Sequence, residues 1–146
     1  MATDISRRSF LRGTTNDKTI QPMRPPGATA DAFDALCIDC DDCFAACPEN
    51  IITGDNKGRA IIDFRRGSCT FCGACADSCP TGALSLRHIS EWSWRAQIDN
   101  TCLSMNAVAC RMCQDNCDFS AIRFQLKAGG RAEPRIDLET CTGCGA

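Results

Sequence analysis

Short apolar segments alternate with polar and turn-forming residues along the chain, and they come in pairs. In three places an apolar segment is followed by a second one that ends in the dipeptide Ile-Asp. Such pairs predict three hairpins, over residues 51–63, 83–99 and 121–137, with turn chemistry at residues 54–58 and 128–130. Short helices are predicted over residues 43–47 and 75–79. The pattern therefore predicts an α+β fold built from a repeated unit of loop, short helix and hairpin.

The first thirty residues differ from the rest of the sequence in charge. They carry five basic and two acidic side chains, a net charge of +3, whereas residues 31–146 carry 11 basic and 16 acidic groups, a net charge of −5. Pro22, Pro25 and Pro26 also interrupt any apolar periodicity there. We predict a flexible basic arm over residues 1–32, followed by lobes over residues 33–90 and 91–146. The arm is either a solvated terminus or a docking segment for a partner.

The arm contains a run from Ser6 to Arg12 that is similar to the twin-arginine export motif, with Arg7 and Arg8 in the matching positions. That motif normally precedes an apolar stretch. Here residues 13–19 are polar and include Asp17 and Lys18, so the export signal is incomplete. No run of 18 apolar residues occurs, which predicts no membrane span. The sequence therefore predicts a cytoplasmic protein.

Cysteine is the most over-represented residue. Fourteen of the 146 residues are cysteine, and the 44% of hydrophobic residues includes them. A short protein with so little remaining apolar mass needs disulfides or bound metal to fold. The 16 basic and 18 acidic side chains give no overall basic footprint for nucleic acid.

Two cysteine runs have the spacing Cys-x2-Cys-x2-Cys-x3-Cys-Pro, which bacterial ferredoxins use to bind [4Fe–4S] clusters. They are Cys37, Cys40, Cys43 and Cys47, and Cys69, Cys72, Cys75 and Cys79. A tight loop delivers three thiolates to one cluster, and the fourth thiolate, before the proline, reaches the neighbouring cluster. On that rule cluster one takes Cys37, Cys40, Cys43 and Cys79, and cluster two takes Cys69, Cys72, Cys75 and Cys47. We therefore expect two tandem lobes like those of bacterial ferredoxins.

Disulfides and structural zinc are the alternative uses of these cysteines. A disulfide framework needs an oxidising compartment, which the incomplete export signal argues against. Structural zinc prefers four ligands in two separated pairs, not three thiolates within seven residues followed by Cys-Pro. Both alternatives are therefore less consistent with the two runs than iron–sulfur ligation.

Two further cysteine groups depart from the ferredoxin spacing. The third is Cys102, Cys110, Cys113 and Cys117, in which the first gap is five residues longer and no proline follows. We expect it to bind a cluster, and the alternative is a degenerate repeat with buried, reduced thiols. The fourth is Cys141 and Cys144, which match the start of the run at Cys69. We expect this group to continue past Ala146, so that the sequence is truncated at its C-terminus and the missing residues complete a third or fourth cluster.

Taken together, the tandem runs, the altered third group and the short fourth group resemble a NapF-type ferredoxin. The flanking strings that match are Ser6-Arg7-Arg8, Arg24-Pro25-Pro26, Arg87-His88 with Trp92, residues 110–115 and residues 141–146. The resemblance implies a cytoplasmic accessory protein. It implies contact with the cytoplasmic precursor of the periplasmic nitrate reductase catalytic subunit, and help in maturing that subunit before export. An electron-transfer subunit of a respiratory oxidoreductase is the alternative, and a redox or iron sensor is a third.

The sequence contains no catalytic constellation. His88 is the only histidine, and no second group pairs with it at a useful spacing. We expect it to pack on Trp92 or to cap a turn. Trp92 and Trp94 are either core residues, which we favour, or a partner-facing patch. The sequence thus predicts a protein without enzymatic activity of its own.

Overall fold

A computed structural model describes residues 22–29, 32–128 and 131–146 of the protein. Its helices are one turn long or little more, and its strands form two separate antiparallel pairs. The helices are α1 (Phe33–Leu36), α2 (Asp42–Ala46), α3 (Ala74–Asp77) and α4 (Met112–Asp115), with 3-10 helices at Leu86–Glu91 and Ser104–Asn106. The strands are β1 (Ile52–Gly54), β2 (Ala60–Ile62), β3 (Ile122–Leu126) and β4 (Ala132–Ile136). This mixture of short helices and strands confirms the predicted α+β class.

The first and third predicted hairpins are confirmed. In β1–β2, Ile52 lies opposite Ile62, and in β3–β4, Ile122 lies opposite Ile136. In these two hairpins, the isoleucine of the Ile-Asp dipeptide therefore pairs with the apolar segment that follows a cysteine run.

The second predicted hairpin, over residues 83–99, is wrong. Residues 83–85 pair with the segment that precedes the first lobe instead. Ser85 N–H donates to Gly27 O at 2.8 Å, and Thr29 N–H donates to Ala83 O at 2.9 Å. The backbone then turns into the 3-10 helix Leu86–Glu91. Extended residues need a backbone partner when they are buried, and here an earlier part of the sequence supplies it.

Because of this pairing, residues 22–29 are not part of an exposed basic arm, contrary to the prediction. Pro25 is fully buried, and the Arg24 side chain is only 16% exposed. Arg7 and Arg8 lie outside the described residues. The described part of the predicted arm is therefore an integral part of the first lobe.

Helices α2 and α3 begin one residue earlier than predicted and end before Cys47 and Cys79. Left-handed backbone at Asp41 and Gly73 precedes each helix. Each closing cysteine precedes a proline, and a proline disfavours helical backbone in the residue before it. Cys47 accordingly has extended backbone, with φ −78° and ψ 111°. The proline thus releases the fourth cysteine from the helix that carries the third.

The hydrophobic core belongs to the first lobe. Its buried members come from α1, from both strands of the first hairpin, from α3 and from the segment after Cys79: they are Phe33, Ile51, Ile52, Ala60, Ile62, Ala76, Ala83 and Leu84. In the second lobe, by contrast, most large apolar side chains face solvent: these are Leu103, Met105, Val108, Met112, Phe119, Leu126 and Leu138. No helix in the described ranges is long and apolar enough to cross a bilayer.

Arg24 fastens the N-terminal segment to the first lobe. Its guanidinium donates to Asp55 Oδ2 at 2.9 Å and to Ala60 O at 3.1 Å, and lies 4.8 Å from the centre of the Phe33 ring. Burial opposes ionisation of Asp55, but the Lys57 N–H and the Arg24 guanidinium together hold the pKa of that carboxyl below its usual value. The pair is therefore ionised and largely shielded from water.

We predict that Arg24→Gln destabilises the protein by about 2 kcal/mol, because it leaves the Asp55 carboxylate buried without its partner. The measurement is the thermal unfolding midpoint of the cluster-loaded protein under anaerobic conditions. Arg65→Gln is the matched control. Arg65 also binds an aspartate, Asp63, at 2.7 Å, but its side chain is 90% exposed, so we expect little change. Equal midpoints for the two variants would contradict the prediction.

Candidate metal centre

Four cysteines line one apolar recess of the first lobe. They are Cys37, Cys40, Cys43 and Cys79. The recess is closed by Phe33, Phe44, Ala60 and Leu84, among other residues. Three of its cysteines therefore come from the first run and one from the end of the second run.

A second recess has the reciprocal composition. Its cysteines are Cys69, Cys72, Cys75 and Cys47. Its apolar walls include Ile51, Ile52, Ile62, Phe71 and Ile89, and Pro26 of the N-terminal segment also contributes. The structure thus groups the eight cysteines in the same two sets of four that the crossed ligand rule predicts.

Backbone N–H groups point at two of the cysteine sulfurs. Phe71 N–H donates to Cys69 Sγ at 3.4 Å, and Leu84 N–H donates to Cys79 Sγ at 3.5 Å. Such bonds favour the thiolate form. Burial opposes this at Cys79, but the hydrogen bonds from Leu84 and Thr81 outweigh it and lower the pKa of that thiol. Some of the cysteines are therefore prepared for metal binding by the backbone itself.

Other cysteines are held in surroundings that disfavour a bare thiolate. Burial raises the pKa of Cys43 to about 12, and negative charge on neighbouring cysteines, Cys75 first among them, adds to the rise. Burial likewise raises the pKa of Cys75 to about 11, with further contributions from Cys69 and Cys47. A cationic centre would remove this penalty, because it binds the thiolate and displaces the proton. The donor set therefore fits a thiolate-ligated metal cluster.

The described cysteines form neither a single-ion site nor a disulfide. A tetrahedral zinc site has zinc–sulfur bonds of about 2.3 Å and so holds its sulfurs about 3.8 Å apart. Within the described ranges, no three His, Cys, Asp or Glu side chains converge on a single-ion site. All fourteen cysteines are free thiols, with no disulfide between them. The grouping of four thiols in each of the two recesses is what favours iron–sulfur ligation over the zinc and disulfide alternatives.

In the third group, Cys113 lies in helix α4, and Cys102 and Cys110 precede it in loop segments. Burial raises the pKa of Cys113, and charge at Cys102 and Cys110 contributes to the shift. The longer gap is ordered by Asn106, whose Nδ2 donates to Asn100 O at 2.8 Å and to Cys102 O at 2.9 Å. The Asn106 side chain therefore holds the insertion against the backbone at Asn100 and Cys102. Cys117 follows helix α4, and its N–H donates to Gln114 O.

The fourth group lies against the first lobe. Cys141 is buried, and Cys144 O accepts a hydrogen bond from Cys69 N–H at 2.8 Å. Cys144 also contributes to the raised pKa of the Cys69 thiol, after burial and after nearer cysteines. The spacing of the cysteines alone gave no sign of this contact.

The structure shows the surroundings of His88 and of the two tryptophans. His88 Nδ1 lies 2.9 Å from Glu91 Oε2. Trp92 is half-buried against the core and meets the Phe71 ring edge-on, with ring centres 6.2 Å apart. Trp94 is 38% exposed. The core interpretation therefore holds for Trp92 and not for Trp94.

Comparison with known proteins agrees with this geometry. A model of the 4Fe-4S dicluster domain matches residues 36–83, which include all eight cysteines of the two recesses. The protein is 37% identical over its full length to the ferredoxin-type protein NapF of Escherichia coli strain K12, and covers 89% of that protein. The chain belongs to the NapF family of ferredoxin-type proteins. The NapF-type protein therefore carries [4Fe–4S] clusters.

Other relatives extend the comparison. The protein is 37% identical to NapF of Haemophilus influenzae strain Rd, with 98% of its own length and 87% of that relative covered. It is 30% identical to the ferredoxin-type protein NapG of the same organism, of which it covers 53%. No solved structure matches the sequence. Family membership therefore rests on full-length NapF similarity, and the geometry above adds where each cysteine lies.

We predict that Asn106→Ala loosens the insertion of the third group, because Asn100 O and Cys102 O lose the side-chain donor at a cost of about 1 kcal/mol. Hydrogen–deuterium exchange over residues 102–110 is expected to accelerate. Asn116→Ala is the control, since the Asn116 side chain bonds to Met112 O in helix α4 and not to the insertion. Unchanged exchange in the Asn106 variant would contradict the prediction.

Proposed function

We propose that this NapF-type protein is a cytoplasmic accessory protein that binds the precursor of the periplasmic nitrate reductase catalytic subunit and assists its maturation before export. Full-length similarity to NapF carries the proposal. Ferredoxin-type iron–sulfur proteins as a class are electron carriers or accessory proteins, and we propose no enzymatic activity for this one. The two cysteine-lined recesses of the first lobe support an iron–sulfur role of that kind.

We propose crossed ligation in the first lobe. Cluster one binds Cys37, Cys40, Cys43 and Cys79, and cluster two binds Cys69, Cys72, Cys75 and Cys47. The remaining cysteines, Cys102, Cys110, Cys113, Cys117, Cys141 and Cys144, are proposed ligands of further clusters. The composition of the two recesses supports the crossed sets, and the effect of charge at Cys102 and Cys110 on the Cys113 thiol supports ligation by the third group. Bound clusters of this kind supply one-electron chemistry.

Crossed ligation predicts which double variants lose one cluster and which lose two. Cys37→Ala with Cys79→Ala removes two ligands of cluster one and costs about four iron atoms per protein molecule. Cys37→Ala with Cys47→Ala removes one ligand from each cluster and costs about eight. The measurement is iron and sulfide content after anaerobic purification.

The two double variants are matched, because each replaces two cysteines and each retains six of the first lobe. If each run bound its own cluster, Cys37→Ala with Cys47→Ala would cost only one cluster, and the order of the two variants would be reversed. Equal iron contents for the two variants would also refute crossed ligation.

The accessory role predicts capture of the reductase precursor by the cluster-loaded protein. We expect the precursor to be retained by immobilised wild-type protein, and to be lost or much weakened with Arg7→Gln/Arg8→Gln if the arm docks the partner. Arg65→Gln/Arg66→Gln is the control, since it removes the same charge from an exposed pair of the first lobe. Failure of the wild-type protein to retain the precursor would refute the proposed function.

An electron-transfer subunit is the second candidate function. The two recesses are close enough for charge at Cys75 to affect the pKa of Cys43, so clusters bound there would be neighbours suited to electron exchange. A cytoplasmic donor that reduces the clusters as fast as nitrate is turned over would favour this role. Normal maturation by a variant that cannot be reduced would favour the accessory role.

A further inference from the structure

The last six residues of the sequence form a joint between the second lobe and the first. Cys69 N–H donates to Cys144 O at 2.8 Å, which links the fourth cysteine group to the start of the second. The Cys69 amide lies in a loop, outside the helices and strands. Its hydrogen-bond acceptor, Cys144 O, therefore lies 75 residues further along the sequence and not in the local structure.

Two glycines make this close approach possible. Gly143 has φ +74°, and a Cβ there would overlap Trp94 O and lie 2.9 Å from Trp92 Nε1. Gly145 has φ +83°, and a Cβ there would enter the Phe64 ring, with Cε1 at 2.6 Å. The two positions thus require glycine for both backbone conformation and space.

Arg95 links residues 92–94 to the segment before Cys141 through hydrogen bonds. Its guanidinium donates to Trp92 O at 2.9 Å, to Trp94 O at 2.8 Å and to Leu138 O at 3.2 Å. One side chain therefore ties the connection between the lobes to the segment that leads into Cys141. Because both tryptophans of the protein lie at this point, the linker and the last residues form one packed contact.

The contact excludes water from polar atoms. Trp92 Nε1 and Thr142 Oγ1 are buried and have no hydrogen-bond partner among the described residues. Leaving such atoms unpaired costs free energy. The close approach at Gly143 and Gly145, where an added Cβ would overlap neighbouring atoms, marks the contact as a specific joint.

From this geometry we infer that Gly143 and Gly145 are positioning residues that seat Cys144 against Cys69, so that the second lobe meets the first at cluster two and not at cluster one. The inference rests on the ligand sets proposed above. Cys144 O takes the Cys69 N–H, which would otherwise be free to bond elsewhere around the cluster. Hydrogen bonds and solvent access around a cluster set its electronic properties. The surroundings of cluster two, alone of the two, therefore depend on the joint.

Hydrogen–deuterium exchange at the Cys69 amide tests the joint in the cluster-loaded, full-length protein. We expect this amide to be protected in the wild-type protein and to exchange at least tenfold faster in Gly143→Ala and in Gly145→Ala. Gly82→Ala is the matched control, because Gly82 also has left-handed backbone, with φ +70°, but a Cβ there meets nothing within 4 Å. We expect it to leave Cys69 protected.

Two outcomes would overturn the joint. The first is exchange of the Cys69 amide at the unprotected rate in the wild-type protein. This outcome does not depend on whether any variant folds. The second is equal acceleration in Gly82→Ala, which would mean that backbone strain alone explains the effect.

Electron paramagnetic resonance tests the consequence for cluster two. Under crossed ligation, Cys37→Ala leaves cluster two in the first lobe and Cys47→Ala leaves cluster one. We expect Gly143→Ala to shift the g values of the reduced first-lobe cluster in the Cys37→Ala background and to leave them unchanged in the Cys47→Ala background. The same shift in both backgrounds, or none in either, would overturn the inference. The iron contents of the paired cysteine variants report separately on the ligand sets.

Discussion

Four thiolates gathered in an apolar recess repel one another, and bound iron balances their charge. This constraint explains why burial and neighbouring charge raise the pKa of Cys43 and Cys75 so far. It also explains the small core, whose members lie directly around the two recesses. We therefore expect metal binding and folding of the first lobe to be coupled, because the cysteines proposed as ligands pack against the core.

The N-terminal segment completes the first lobe. Pro26 lines the recess of Cys47 and Cys69, and the backbone of residues 27–29 pairs with residues 83–85, which follow Cys79. The segment therefore contacts the backbone beside both recesses. Arg24 fixes it to the first hairpin. A part of the sequence that its prolines and charge mark as a linker thus acts as a structural element of the metal centre.

The spacing of cysteines and prolines made much of the first lobe predictable. Pairing between segments far apart in the sequence could not be predicted. The Cys-Pro pairs at Cys47 and Cys79 predicted where α2 and α3 end to within two residues, because proline restricts its predecessor whatever the tertiary context. The grouping of the eight cysteines was predicted from the spacing within the two ferredoxin-type runs. The hairpin over residues 83–99 failed because its first strand pairs with a segment more than fifty residues earlier. Alternation of apolar residues predicts an extended segment but does not identify its partner.

The second lobe depends on contacts more than on a core of its own. Its largest apolar side chains are mostly exposed, yet Cys141 is buried, Gly143 packs against Trp92 and Trp94, and Gly145 packs against Phe64 of the first lobe. A small apolar interior contributes little to the stability of the second lobe. The joint with the first lobe therefore matters more for that stability. Attachment at Cys69 brings the second lobe beside the cluster whose recess Pro26 also lines.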